Sequence, residues 1–292
     1  MSHIAYVNGR YLPHRDAAVS IDDRATQFAD AAYEVTCVWN GRPVDHAGHM
    51  ARLARSLGAL NIPMPMTPAA LTVVCRELVR RNRVDRGIVY LQVSRGIAPR
   101  AHAFPTLVRP SVIATARAGA GPSDAVAEAG VTVVTAEDIR WSRRDIKATG
   151  LLANVLARQS ASAAKAYESL LVTPDGVVTE ASASNAWMVA GDGTILTHPT
   201  GPGILAGVTR ATILKLAREA GLTVLERAFT LKEALAAREV FLTGTTTFLM
   251  PVVQIGETTI ANGAAGSIAR DLRDRYAAYV AQQTATDAAW TV

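Results

Sequence analysis

A length of 292 residues suits one large domain or two modest ones, and a hydrophobic content of 49% is ample for a buried core, which excludes a disordered chain. No apolar run reaches the roughly 18 residues that span a bilayer, the start Met1-Ser2-His3-Ile4-Ala5 carries no secretory pattern, and Cys37 and Cys75 form no CxxC or Cys/His metal spacing, so a cytoplasmic protein with no membrane partner is expected. The net charge of +5 comes from 30 basic against 25 acidic residues, but the arginines are dispersed in short clusters such as Arg80-Arg81-Asn82-Arg83, so no nucleic-acid partner is expected.

In chain order, Ala5-Tyr6-Val7, Asn8-Gly9 and Arg10-Tyr11-Leu12 predict a hairpin with a type I′ turn. Residues 33–39 read as a strand that Asn40-Gly41 turns into Arg42-Pro43-Val44. Asp45 is placed to cap a helix whose apolar positions Met50, Leu53, Leu57 and Leu60 recur at helical spacing. Thr67-Pro68 gives an N-cap with proline at the first helical position, opening a helix to about Arg83. Residues 88–93 and 107–114 are β-rich. Ala118-Gly119-Ala120-Gly121-Pro122-Ser123 has linker composition. It divides a smaller N-terminal lobe, 1–118, from a larger C-terminal lobe, 124–292, with 119–123 between them. Beyond it come a strand at 131–135, a helix at 151–166 and a hairpin from 169–173 to 177–179. A helix at 207–220 ends at Gly221, Thr230 and Glu233 form a capping box, and 240–242 is a strand before an amphipathic helix at 267–283. The class is mixed, α+β or α/β, in two lobes.

A Walker A loop, a GxGxxG after a strand, HExxH and a GxSxG elbow are all absent. His46 and His49 lie three apart on a predicted helix, but without neighbouring cysteine or carboxylate ligands they read as structural, and no metal is expected. Only four of the 30 basic residues are lysines. Lys165, Lys215 and Lys232 fall on predicted helices and read as solvated. Lys147 follows Arg143, Arg144 and Asp145 and precedes a break at Ala148-Thr149-Gly150. Nearby cations disfavour its ammonium form and would make it a better nucleophile toward a carbonyl, although alone it reads first as a surface lysine. Two turns rich in glycine and hydroxyls, Gly201 to Thr209 before a helix and Thr243-Gly244-Thr245-Thr246-Thr247 after a strand, offer amides and hydroxyls to a phosphate or serve as ordinary connections. Together with Lys147 they favour a phosphorylated carbonyl cofactor, pyridoxal phosphate.

Further segments carry a family resemblance. They are Asp30-Ala31-Ala32-Tyr33-Glu34-Val35, His49-Met50-Ala51-Arg52-Leu53, Ser94-Arg95-Gly96 and Pro99-Arg100-Ala101-His102-Ala103-Phe104-Pro105. Asp138-Ile139-Arg140-Trp141, Asp145-Ile146-Lys147, Thr179-Glu180-Ala181-Ser182-Ala183-Ser184-Asn185 and Ile204-Leu205-Ala206-Gly207-Val208-Thr209-Arg210 follow. In order and spacing, over nearly the whole chain, these resemble the fold-type IV pyridoxal-phosphate aminotransferases, and within them the D-amino-acid (D-alanine) branch.

The resemblance implies that Lys147 binds the cofactor covalently and then shuttles a proton between the substrate Cα and the cofactor C4′. It puts Glu180 against the pyridine nitrogen, where a carboxylate keeps that nitrogen protonated. Arg52 matches the phosphate-binding arginine, a charge-assisted clamp. Val208, Thr209, Thr245 and Thr246 match positions that complete the phosphate cradle, and Leu205 matches a residue packed on the ring. Tyr33, Arg100 and His102 match the substrate-carboxylate trap, in which arginine supplies a planar fork and the other two add donors. In the family that Arg/His loop reaches the neighbouring subunit's site, which implies a homodimer.

The chain departs from the pattern at Ala29 and Ala31, where the branch has glycines, at Ala181 and Ala183 in place of a glycine and a serine, and at Gly244 in place of a serine. These changes trim hydroxyls and alter bulk near the cofactor, so they bear on substrate range rather than reaction type. The implied function is ping-pong transfer of an amino group from a D-amino acid to a 2-oxo acid such as 2-oxoglutarate or pyruvate. Branched-chain L-amino-acid aminotransferase, (R)-amine transaminase and aminodeoxychorismate lyase are the alternatives within the fold type, the Arg100/His102 loop arguing against the first and third. A non-catalytic basic binding protein is the alternative from another class.

Overall fold

The computed structural model describes residues 3–119 and 123–292, so most of the expected linker, 119–123, lies outside the described residues. Its contacts divide the chain into two compact units, Met1–Gly121 with Ile146–Gly150 and Val280–Val292, and Pro122–Asp145 with Leu151–Tyr279.

The first unit is built on one antiparallel sheet. Its strands are β1 (Ile4–Val7), β2 (Arg10–Pro13), β3 (Ala31–Trp39), β4 (Arg42–Pro43), β5 (Gly87–Ser94) and β6 (Ser111–Ala118), in the order β2-β1-β6-β5-β3-β4. Both predicted hairpins form. Asn8 and Gly9 take φ of 44° and 91°, the two left-handed positions that a type I′ turn demands and that match the twist of the strands. Helix α1 (Arg24–Phe28) precedes β3, and α2 (His46–Ala59) and α3 (Pro68–Asn82) follow β4. Met50, Leu53 and Leu57 of α2 and Leu71, Val74, Cys75 and Leu78 of α3 join Val89, Leu91, Val93, Val112 and Ala114 of the sheet in one core. Burying such side chains contributes about 1.5–3 kcal/mol each.

The sequence reading needs local correction here. The strand expected at 107–114 begins only at Ser111. Pro110 has no N–H for the ladder and biases Arg109 before it. Asp45 stands at the start of α2 but does not cap it. Its φ is 54°, and its side chain meets Gln283 while its N–H donates to the Gln283 Oε1 at 2.8 Å. Thr67 caps α3 as expected, its hydroxyl accepting the Ala70 N–H.

The second unit carries a ten-stranded mixed sheet. Its strands are β7 (Val131–Glu137), β8 (Glu168–Val172), β9 (Val177–Ala181), β10 (Asn185–Val189), β11 (Ile195–Thr197), β12 (Val224–Glu226), β13 (Phe229–Thr230), β14 (Glu239–Gly244), β15 (Phe248–Ile255) and β16 (Thr258–Thr259). The order is β12-β11-β10-β14-β15-β7-β8-β9-β13, with β16 paired to β15; the β11/β12, β15/β7 and β7/β8 pairs are parallel. The helices are α4 (Asp124–Ala129), α5 (Leu152–Ala163), α6 (Val208–Glu219), α7 (Leu231–Leu235) and α8 (Ser267–Gln283), of which the last residues, from Val280, count with the first unit. Val133, Leu170, Val178, Met188, Val240, Leu242 and Met250 form its core. The capping box closes as predicted, Thr230 Oγ1 accepting the Glu233 N–H while Glu233 accepts the Thr230 N–H. Lys165 lies just past α5 with φ of 54° rather than within it. Among the described residues no helix is long and apolar enough to cross a membrane.

Candidate active site

In the first unit, Lys147 sits on a short segment that pairs with the start of β3. Tyr33 N–H donates to the Lys147 carbonyl at 3.0 Å, and Thr149 N–H donates to the Ala31 carbonyl at 3.1 Å. The Lys147 N–H donates to Ser56 Oγ on α2. This backbone anchoring aims the half-buried side chain at Tyr33, where Nζ donates to Oη at 3.4 Å. The Tyr33 ring stacks on Tyr90 with centroids 5.6 Å apart, and the Tyr90 hydroxyl donates to Gln92 Oε1. Burial, followed by the neighbouring Tyr33, pushes the Tyr90 hydroxyl up to about 12, so it stays protonated. Arg143 and Arg144, the cations invoked beside Lys147, are each matched by a carboxylate, Asp145 and Asp138 respectively.

Arg52 is buried on α2 beside Glu34 of β3. Its Nε and Nη2 donate to the two Glu34 oxygens at 2.8 and 2.7 Å, and His49 Nδ1 meets Glu34 Oε2 at 2.7 Å. Burial would raise the Glu34 carboxyl, but the Arg52 charge and these hydrogen bonds outweigh it and hold the group down at about 2. His46 goes to Thr72 Oγ1 instead, and burial takes it down to about 4. Each histidine of the candidate metal pair thus has one ring nitrogen on a side-chain partner, Thr72 or Glu34, and among the described residues no group of three or more His, Cys, Asp or Glu is arranged to hold a metal.

Arg100 and His102 lie on an exposed loop before β6. Their described ring contacts are with Phe28 of α1 rather than with Tyr33.

In the second unit, Glu180 is buried on β9. One carboxylate oxygen pairs closely with Arg140; the other accepts from Asn185 Nδ2 at 2.9 Å, and the Leu205 N–H reaches both, at 3.3 and 3.2 Å. Arg140 is shared, because Asp138 takes it at 2.9 Å through both of its oxygens. Burial therefore raises the Glu180 pKa, and the Arg140 charge does not cancel it. Asp138, also served by Thr179 and Arg144, goes the opposite way: burial would raise it, but those partners and Arg140 lower it.

Asn185 also donates to the Leu205 carbonyl at 2.9 Å, tying the acid to the segment that opens α6. A Cβ at Gly207 would stand 2.0 Å from Asn185 Oδ1, so only glycine permits that approach. Gly207 caps α6 without a side-chain hydrogen bond, and Val208 and the buried Thr209 form its first turn. The first N–H groups of a helix have no intrahelical partner and carry partial positive charge. On the β14–β15 turn, Thr245 is half-buried and Thr246 exposed. Nearby, Ser184 Oγ is buried with no hydrogen-bond partner, 3.5 Å from where a Gly244 Cβ would stand. An orphaned hydroxyl beside a hydroxyl-rich turn fits an oxyanion ligand, and a buried carboxyl of raised pKa fits a cationic one.

Sequence reasoning singled out Lys147, Glu180 and Arg52 as candidates but not the groups that hold two of them: Glu34 and His49 for Arg52, Arg140 and Asn185 for Glu180. These residues lie in the segments that carry the resemblance, yet no local spacing pairs Arg140 with a residue 40 positions away.

Residues 31–255 match the family model described as amino-transferase class IV. The D-alanine aminotransferase of Bacillus licheniformis is 39% identical over 278 residues, covering 95% of this chain and 97% of that protein. That of Staphylococcus aureus (strain MSSA476) is 36% identical, with coverages of 94% and 97%. Among solved structures, a T.th. branched-chain amino acid aminotransferase with pyridoxamine 5′-phosphate matches with a TM-score of 0.89 at 25% identity, over 99% of this chain and 98% of that one. With most of its length matched by the family model, the chain belongs to the class IV amino-transferases.

Proposed function

We propose that this chain is a pyridoxal-phosphate-dependent transaminase that moves an amino group from a D-amino acid of the D-alanine or D-glutamate class to a 2-oxo acid. Bound pyridoxal phosphate supplies the carbonyl that takes up the amino group and the ring that accepts the electron pair left when the Cα proton departs. The chain's residues supply the rest. Lys147 Nζ, held 3.4 Å from Tyr33 Oη, would hold the cofactor at its carbonyl carbon, the oxygen leaving as water, and would move the proton at the substrate Cα. Glu180 holds a proton at the ring nitrogen, whose positive charge offsets the burial that otherwise raises this carboxyl. Leu205 would add an apolar contact to the cofactor. Arg52, Thr245, Thr246 and the amides of Val208 and Thr209 bind the phosphate, and Tyr33, Arg100 and His102 bind the substrate carboxylate.

The observation that carries the reaction type is the half-buried Lys147 facing Tyr33. The D-side of the reading rests on relatives of matching length that are named D-alanine aminotransferases. A second reading, a branched-chain L-amino-acid aminotransferase, is favoured by the solved-structure likeness, at lower identity. We extend the proposal to a homodimer of two-lobed subunits, with the lobe boundary at 119–123, working in the cytoplasm. That Cys37 and Cys75 are not joined in a disulfide supports a reducing compartment.

The purified protein should be yellow and lose that colour with borohydride, and Lys147→Ala should abolish both colour and turnover. A Lys147→Ala variant with normal rate and colour overturns the assignment. In a screen of D- and L-amino donors against pyruvate and 2-oxoglutarate, activity on D-alanine or D-glutamate is expected. Activity on L-leucine with none on either D-donor favours the second reading.

A further inference from the structure

The loop carrying Arg100 and His102 is exposed, yet it is braced from beneath by α1 of the same unit. Arg24, the first residue of α1, is 3% exposed. Its Nε donates to Asp30 Oδ2 at 2.7 Å and its Nη1 to the Ala101 carbonyl at 2.6 Å, with the Ala103 carbonyl at 3.4 Å. The same Asp30 holds Arg95, whose guanidinium carbon lies 3.5 Å from the Phe104 ring centroid. Two buried arginines on one carboxylate thus brace the loop, Arg24 at its backbone carbonyls and Arg95 at the Phe104 ring.

The last residue of α1, Phe28, meets the side chains themselves. Its ring centroid is 4.7 Å from the Arg100 guanidinium carbon and 5.5 Å from the His102 ring centroid. Among the described residues Arg100 forms no ion pair with a carboxylate. A π face attracts a guanidinium without neutralising it and leaves the in-plane N–H donors available to an anion. A carboxylate in the same place would occupy those donors.

We propose that Phe28 is a positioning residue for substrate-carboxylate binding, its ring holding Arg100 and His102 in one arrangement while Arg24 fixes the backbone beneath them. The inference rests on the reading of Arg100 and His102 as carboxylate binders. It is tested on the holoenzyme with D-alanine and 2-oxoglutarate. Phe28→Leu, which keeps bulk but removes the π face, should raise KM for both about 5–30-fold, with kcat within about twofold and the yellow absorbance unchanged. Phe28→Tyr, which retains the face, should restore KM. Arg24→Lys, which keeps the charge at Asp30 but loses the fork to the loop carbonyls, should raise KM in the same way, and it serves as the test where Phe28→Leu yields no folded protein. Arg100→Ala separates the two ideas. If Arg100→Ala raises KM and neither Phe28→Leu nor Arg24→Lys does, the positioning inference is overturned while the carboxylate reading stands. If Arg100→Ala leaves KM unchanged, the carboxylate reading is overturned and the inference with it. Equal losses in Phe28→Leu and Phe28→Tyr also overturn it, since they would report packing rather than the π face.

Discussion

Each unit buries a glutamate against an arginine, and the two pairs titrate in opposite directions. Glu34 is bound by Arg52 through both of its oxygens, with His49 as a further partner, and it is held down at about 2. Glu180 must share Arg140 with Asp138, and burial wins, so its pKa rises. The difference is one of charge per carboxylate. Burial penalises both acids, and only a full, geometrically matched cation offsets that cost. An acid locked in its ionised form is suited to holding Arg52 in place. An acid short of positive charge is suited to a ligand that brings some.

The largest expected effect breaks the comparison on the catalytic side. Glu180→Gln keeps the shape but gives up the charge, and turnover should fall about 10²–10⁴-fold, the range for a group that governs proton transfer. A fall of less than about tenfold in kcat would mean that Glu180 is no different in kind from Glu34. Next, Glu34→Gln should lower stability by about 3–5 kcal/mol, because Arg52 is left buried without its counter-charge; the urea midpoint reads this directly.

The third expectation separates the two acids by pH. Glu34 has a folded pKa of about 2 against an ordinary 4.5, so its stabilisation is complete above 4.5 and is lost as pH falls from there through about 2. That share amounts to about 3 kcal/mol and should vanish from the acid limb in Glu34→Gln. Glu180, with its pKa raised, runs the other way: its burial costs stability as pH rises through its folded value, and Glu180→Gln should remove that cost from the cofactor-free protein. Stability curves against pH for the two variants should therefore differ from the parent on opposite sides.

The smallest effect sharpens the lesson. Glu77 is also drawn down to about 2, chiefly by hydrogen bonds from Arg80 and Arg81, yet it sits on the solvated face of α3. Water and salt screen such a pair, so Glu77→Gln should leave the urea midpoint unchanged within error. A shift as large as that of Glu34→Gln would show that burial is not what distinguishes the clusters.

Much of the fold was legible where the signal is local. The Asn-Gly turns, the Thr67-Pro68 start of α3, the Thr230/Glu233 box and the bounds of α8 stand as read. The strands β10, β11, β12, β13, β15 and β16 were not identified. Asn185–Val189 and Ile195–Thr197 are buried at every position, so the apolar–polar alternation that marks a half-exposed strand is missing from both. Asp45 looked like a cap because its residue type suits one, and its side chain met Gln283, 238 positions away, instead.

By itself the sequence determined the chemistry on offer: an isolated lysine, an acid after a strand, hydroxyl-rich turns, and motifs in the order of a class IV amino-transferase. Only the tertiary structure decided how those groups are charged and held. Glu34 and Arg52 are 18 residues apart, Arg140 and Glu180 are 40 apart, and Phe28 meets a loop more than 70 residues downstream. Hydrophobic patterning sets which face of each element turns inward. The protonation of a buried acid depends on which cations the completed fold brings to it and on how many carboxylates share them.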